Sequence, residues 1–100
     1  MRISLSEQAI IGKTLRRYFG DESGIWLFGS RVIDSARGGD IDLYLEPVLV
    51  DVVELVDAKL MALRDLHLAL GDQKIDMVIN SVGSPSQAIY QIARQQGVRL

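Results

Sequence analysis

A chain of 100 residues with 48% apolar and 24% charged side chains has ordinary globular composition and is long enough for one hydrophobic core. Its net charge of -2 lacks the basic footprint of a dedicated nucleic-acid binder, and without cysteine it can build neither a disulfide framework nor a thiolate metal site. No segment is apolar for long enough to span a bilayer, and the opening residues lack the apolar run of a signal peptide. The expectation is one domain over residues 1–100, located in the cytoplasm.

The segment from Met1 to Gly20 reads as a first helix. Ser4 and Glu7 have capping-box spacing, Ile11, Leu15 and Phe19 recur every four residues, and Gly20 suits the left-handed position that ends a helix. Gly24 to Phe28 is a short apolar strand that ends at Gly29-Ser30. Arg31 to Gly39 is polar and closes on two glycines, as a loop or short helical turn does. Asp40 to Glu46 alternates as a second strand, which Pro47 stops.

Leu49, Val52, Val53, Val56, Leu60 and Leu63 follow helical spacing. They predict a long helix over Val50 to Leu70 with these residues as its core stripe and Gly71 as its end. The same helix carries Leu55, Met61, Leu66 and Leu68 on other faces. This further apolar surface predicts either cover by flanking helices or a contact in an oligomer. Lys74 to Asn80 is a third strand. Ser84-Pro85-Ser86-Gln87 then opens a last helix, with Ser84 as N-cap, Pro85 in the first turn, Gln87 completing the box and Gly97 as the end.

The order α-β-β-α-β-α gives an α/β class, α+β-like, with a small mixed sheet of three or more strands flanked by helices. A helix between the second and third strands predicts a parallel, right-handed crossover, and the first two strands are expected to be antiparallel. Side chains alternate across a strand, so Asp40 and Asp42 share one face and Ile41, Leu43 and Leu45 the other. The apolar set should pack on helices, which leaves the aspartate face open. Asp76 has the same relation to Ile75, Met77 and Ile79, and on a neighbouring strand it would lie roughly 5 Å from the first pair. Three carboxylates so close repel one another unless a cation joins them. An all-oxygen ligand set suits Mg²⁺, and two such ions about 3.5–4 Å apart serve in-line phosphoryl displacement.

Gly29-Ser30 supplies a second half to such a site. Glycine lets the backbone approach a phosphate, the serine hydroxyl adds a donor, and Arg31 can neutralise a triphosphate. Taken singly, each feature has a plainer reading: Gly-Ser as a turn, Asp-x-Asp as polar punctuation, Asp76 as an edge-strand charge. Their joint occurrence at strand boundaries, with one parity, separates them from those readings. His67, beside Leu66 and Leu68, has no companion ligands and reads as a surface side chain. Trp26 and Phe28 read as core.

In these residues the chain resembles the DNA polymerase β nucleotidyltransferase superfamily, whose signature is Gly-Ser, a loop, Asp-x-Asp on the next strand and a third Asp on a later one. Here the motif runs from Gly29-Ser30 to Asp40-Ile41-Asp42, followed by Lys74-Ile75-Asp76-Met77-Val78. The likeness is greatest to the minimal nucleotidyltransferases paired with HEPN-domain toxins, and it covers essentially the whole chain. The resemblance implies a polymerase β-type nucleotidyltransferase fold, two Mg²⁺ ions held by Asp40, Asp42 and Asp76, and ATP as substrate. It further implies that Asp76 helps to deprotonate the acceptor hydroxyl, and that Gly29 and Ser30, with Arg31 beside them, hold the β and γ phosphates.

It also implies a partner. A chain of this size has no separate domain to hold an acceptor, so the expected acceptor is a tyrosine of a helical HEPN-type toxin encoded nearby, with AMP as the transferred group and the chain as antitoxin. Two other functions compete with this one. The first is a non-catalytic NTP-binding subunit that neutralises its partner by contact. The second is a toxin that modifies tRNA, against which the acidic balance weighs. A homo- or hetero-oligomer is also expected.

Overall fold

The computed structural model describes residues 3–29, 40–81 and 87–100. Its elements are α1 (Leu5–Phe19), β1 (Gly24–Phe28), β2 (Ile41–Glu46), α2 (Val52–Leu70), β3 (Ile75–Ile79), α3 (Ala88–Gln96) and β4 (Val98–Arg99). The helix α1 starts where the sequence predicts: the Ser4 side chain accepts from the Glu7 N–H at 3.1 Å, and the Glu7 carboxylate accepts from the Ser4 N–H at 3.1 Å. Gly20 and Gly71 terminate α1 and α2, and Asp51 caps the start of α2 by accepting from the Glu54 N–H at 3.0 Å.

The strands form one mixed sheet in the order β3-β2-β1-β4. As expected, β1 and β2 are antiparallel and β2 and β3 are parallel, joined through α2. The strand β4 was not foreseen. It is two residues long, too short for any periodicity, and it pairs antiparallel with Trp26 and Leu27 of β1.

Strand parity sorts the core into two clusters. Ile25, Leu27, Ile41, Leu43, Leu45 and Met77 face α1 and α2, where Ile11, Leu15, Phe19, Leu55, Ala58, Ala62 and Leu66 complete the main core. Full burial of each large aliphatic side chain contributes about 1.5–3 kcal/mol. On the opposite face a smaller cluster joins Trp26 and Tyr44 to Tyr90 and Ala93 of α3. The Tyr44 ring lies 5.4 Å from that of Trp26 and 5.7 Å from that of Tyr90, centroid to centroid. Arg94 and Arg99 each stand 5.2 Å from the centre of the Trp26 ring.

Three expectations need correction. The inward and outward sides of α2 are the reverse of those predicted. Leu55, Ala58, Ala62 and Leu66 are buried, whereas Val52, Val53, Val56 and Leu60 are exposed and only Leu49 and Leu63 of the predicted stripe pack against the core. The alanines explain this: two small side chains let α1 approach closely but carry little apolar signal. Next, α3 starts at Ala88 with Gln87 as an N-cap that makes no side-chain capping bond, so Gln87 does not complete a box. Ser84 and Pro85 lie outside the described residues. Finally, the aspartate face of the sheet is only half open, because α3 covers its Trp26–Tyr44 end.

Candidate functional site

The end of that face that α3 leaves clear among the described residues carries the carboxylates. Asp42 is the second residue of β2 and pairs in register with Asp76 of β3 on one side and Phe28 of β1 on the other. Because neighbouring strands run about 4.8 Å apart, in-register residues of one parity are brought side by side. Asp40 precedes the strand by one residue and is tied in by its neighbour, since the Ile41 N–H donates to the Lys74 carbonyl at 2.9 Å. The three predicted carboxylates thus sit at one end of two parallel strands, with Asp40 and Asp42 part-exposed and Asp76 exposed.

Their charges are felt. The Asp42 carboxyl is held above its ordinary pKa, first by burial, then by the negative charges of Asp76 and Asp40, while the Lys74 ammonium pulls the other way. Lys74 Nζ stands 3.7 Å from an Asp40 oxygen and 3.9 Å from an Asp76 oxygen. Lys74 is not among the residues expected from the sequence to form the site. The signal was available, because Lys74 lies two residues before Asp76 and therefore on its side of the strand.

Gly29 ends β1 beside the same cluster. Its φ is +77°, a left-handed backbone that side chains disfavour, and a Cβ built on it would lie 2.2 Å from Asp42 Oδ2. The glycine is therefore required twice, for its backbone and for the room it leaves the carboxylate. Ser30 and Arg31, the other predicted phosphate contacts, lie outside the described residues.

Among the described residues no three His, Cys, Asp or Glu side chains already converge as a ready-made metal site. The donor set nonetheless fits a hard divalent cation: only oxygen ligands, three carboxylates on one part-open face, and one carboxyl whose ionisation is opposed first by burial and then by the other two. A cation entering there would displace Lys74, whose long side chain is largely solvent-exposed and can swing aside.

Behind the carboxylates a polar network continues along the same face. The Tyr44 hydroxyl donates to Glu46 at 2.7 Å and accepts from Asn80 Nδ2 at 3.0 Å, and Arg94 reaches Glu46 at 3.6 Å. Burial, and then its bond to Glu46, raise the Tyr44 pKa against the opposing effect of Asn80, so the phenol stays neutral. This network ties the far ends of β2 and β3 to one another, and no motif in the sequence announces it. His67 is exposed, bonded to the Gln73 carbonyl at 3.1 Å, as a surface histidine would be.

A hollow of about 710 Å³ lined by Ala9, Lys13, Arg16, Arg17 and Asp21 lies on α1 and shares no residue with the carboxylate cluster. No described helix is long and apolar enough to cross a membrane. Compared with known proteins, the sequence matches no family model and no curated protein.

Proposed function

We propose that the chain is a magnesium-dependent nucleotidyltransferase with a polymerase β-type fold, which moves AMP from ATP onto a hydroxyl acceptor. The observation that supports it most is the state of Asp42: a part-buried carboxyl facing Asp76 in register, opposed by two like charges, and given its space by a left-handed glycine. Such an arrangement is costly in a protein that never binds a cation.

In this reading Asp40 and Asp42 hold two Mg²⁺ ions, and Asp76 holds one of them and accepts the proton of the attacking hydroxyl. The acceptor oxygen bonds to the α-phosphorus of ATP, the bond from that phosphorus to the bridging oxygen breaks, and pyrophosphate leaves with the electron pair. Bound Mg²⁺ supplies charge neutralisation on the phosphates and lowers the pKa of the acceptor hydroxyl. Gly29 offers backbone room to the β and γ phosphates, and Ser30 and Arg31 are assigned their donors by resemblance alone.

The acceptor we assign is a tyrosine of a helical HEPN-domain toxin encoded beside this chain, which makes the chain its antitoxin. The test is transfer of label from ATP labelled at the α-phosphate, with Mg²⁺ and that neighbour. Wild type should label the neighbour, and Asp76→Ala should abolish labelling while the complex still forms. If Asp76→Ala neutralises the neighbour as well as wild type and no label moves, the chain is a non-catalytic binding subunit. Label found in tRNA instead would make it a tRNA-modifying toxin.

A further inference from the structure

The outer face of α2 reads the same in both directions. Val53, Leu60, Met61 and Leu68 are exposed, and Asp57 and Arg64 lie between them on the same side of the helix. At about 100° per residue these six positions fall within an arc of roughly 100°, centred away from the buried Leu55–Ala58–Ala62–Leu66 face. About the midpoint between Leu60 and Met61 their chemistry mirrors: an apolar pair at the centre, Asp57 opposite Arg64, then Val53 opposite Leu68.

From this we propose that α2 packs antiparallel on α2 of a second copy of the chain, with the two-fold axis between Leu60 and Met61. Asp57 of each copy then faces Arg64 of the other, so the contact has two identical ion pairs flanking an apolar centre. Outside them Val53 packs on Leu68 twice. This is the isologous geometry of a two-fold dimer, in which one patch meets itself.

The charges decide the orientation and the occupant. In a parallel pairing Asp57 would meet Asp57 and Arg64 would meet Arg64, which like-charge repulsion opposes. Asp57 forms no ion pair among the described residues, whereas Arg64 uses Nε and one terminal nitrogen on Asp65 at 3.0 Å. That contact draws the guanidinium toward Asp65 and its partner Tyr18 on α1, yet the Arg64 side chain stays 60% exposed and keeps donors for a second carboxylate. A helix of 19 residues is about 28 Å long, enough for a contact at the small end of specific interfaces. The dimer is therefore concentration-dependent, and its face is on the far side of α2 from the core rather than at the carboxylate site.

Sedimentation of the full chain from micromolar to high concentration tests this with a charge swap. Wild type should dimerise reversibly. Asp57→Arg alone and Arg64→Asp alone should each weaken self-association roughly tenfold or more, because both ion pairs become repulsive. An equimolar mixture of those two variants should dimerise again, as should the double variant carrying both changes. Circular dichroism confirms that each variant is folded. A wild type that stays monomeric throughout overturns the proposal, as does self-association that survives Asp57→Arg or single variants that fail to associate when mixed.

Discussion

Asp42 Oδ2 occupies the space where a side chain on Gly29 would begin: a Cβ there would stand 2.2 Å from it. The end of β1 and the start of β2 are thereby fitted to one another, since Gly29 follows Phe28, the in-register partner of Asp42. The left-handed φ of +77° at Gly29 keeps the chain close to the carboxylate instead of turning it away.

Gly29→Ala should therefore do two kinds of damage. A left-handed backbone costs a non-glycine residue about 1–2 kcal/mol, and the new methyl must push Asp42 aside. Urea unfolding should show a loss of at least about that size, and Mn²⁺ titration should show weaker binding. Unchanged stability together with unchanged Mn²⁺ binding would mean that the two residues are not fitted to one another.

The raised Asp42 pKa makes a prediction with a definite sign. A carboxyl that holds its proton more tightly in the folded chain than in the unfolded one favours folding most below the unfolded pKa. That advantage is lost as pH rises through the folded value. In metal-free buffer at neutral pH, Asp42→Asn should thus be more stable than wild type, by about 0.5 kcal/mol or less because the group is only partly buried and solvent screens it. The difference should vanish on acidification, and added Mg²⁺ should stabilise wild type but not the variant. A variant less stable than wild type at neutral pH would show that the carboxylate is favourably held, contrary to this account.

Lys74 stands within 4 Å of both Asp40 and Asp76, in the position of an internal counter-ion. Lys74→Met removes a competitor for any metal ion while adding to the repulsion among the carboxylates. Mn²⁺ affinity by calorimetry should rise several-fold, with only a small change in stability, since exposed ion pairs contribute about 0–1 kcal/mol. Weaker Mn²⁺ binding in the variant would assign Lys74 to holding the carboxylates in place.

What could be read from the sequence was what local chemistry decides. The Ser4–Glu7 capping box depends on residues three apart and is as expected. The shared face of Asp40 and Asp42 was read from the period of a strand, and Asp40 stands one residue before that strand. The parallel run of β2 and β3 followed from the helix between them, whereas the register that sets Asp42 against Asp76 depends on the packed sheet. What could not be read depended on tertiary contacts. The sequence of α2 is apolar nearly all round, so spacing alone could not say whether Val52, Val53, Val56 and Leu60 or Leu55, Ala58, Ala62 and Leu66 face the sheet. The cover of α3 over Tyr44 rests on Tyr90 and Ala93, one polar-tipped and one small, and β4 has two residues.

That reversal gives the last prediction. Leu66 is completely buried against α1 and the sheet, while Leu60, on the same helix, is 63% exposed. Leu66→Ala leaves a cavity among Ile, Leu and Phe side chains and should cost about 2–5 kcal/mol, a large part of the stability of a domain this small. Leu60→Ala removes a side chain that the monomer hardly uses. Measured at a dilution where the chain is monomeric, it should cost no more than about 0.5 kcal/mol. Urea unfolding of the two variants side by side decides which face of α2 is the core. Equal losses, or a larger loss at Leu60, would restore the stripe of Val52, Val53, Val56 and Leu60 as the inward face and remove the basis for pairing α2 with a second copy.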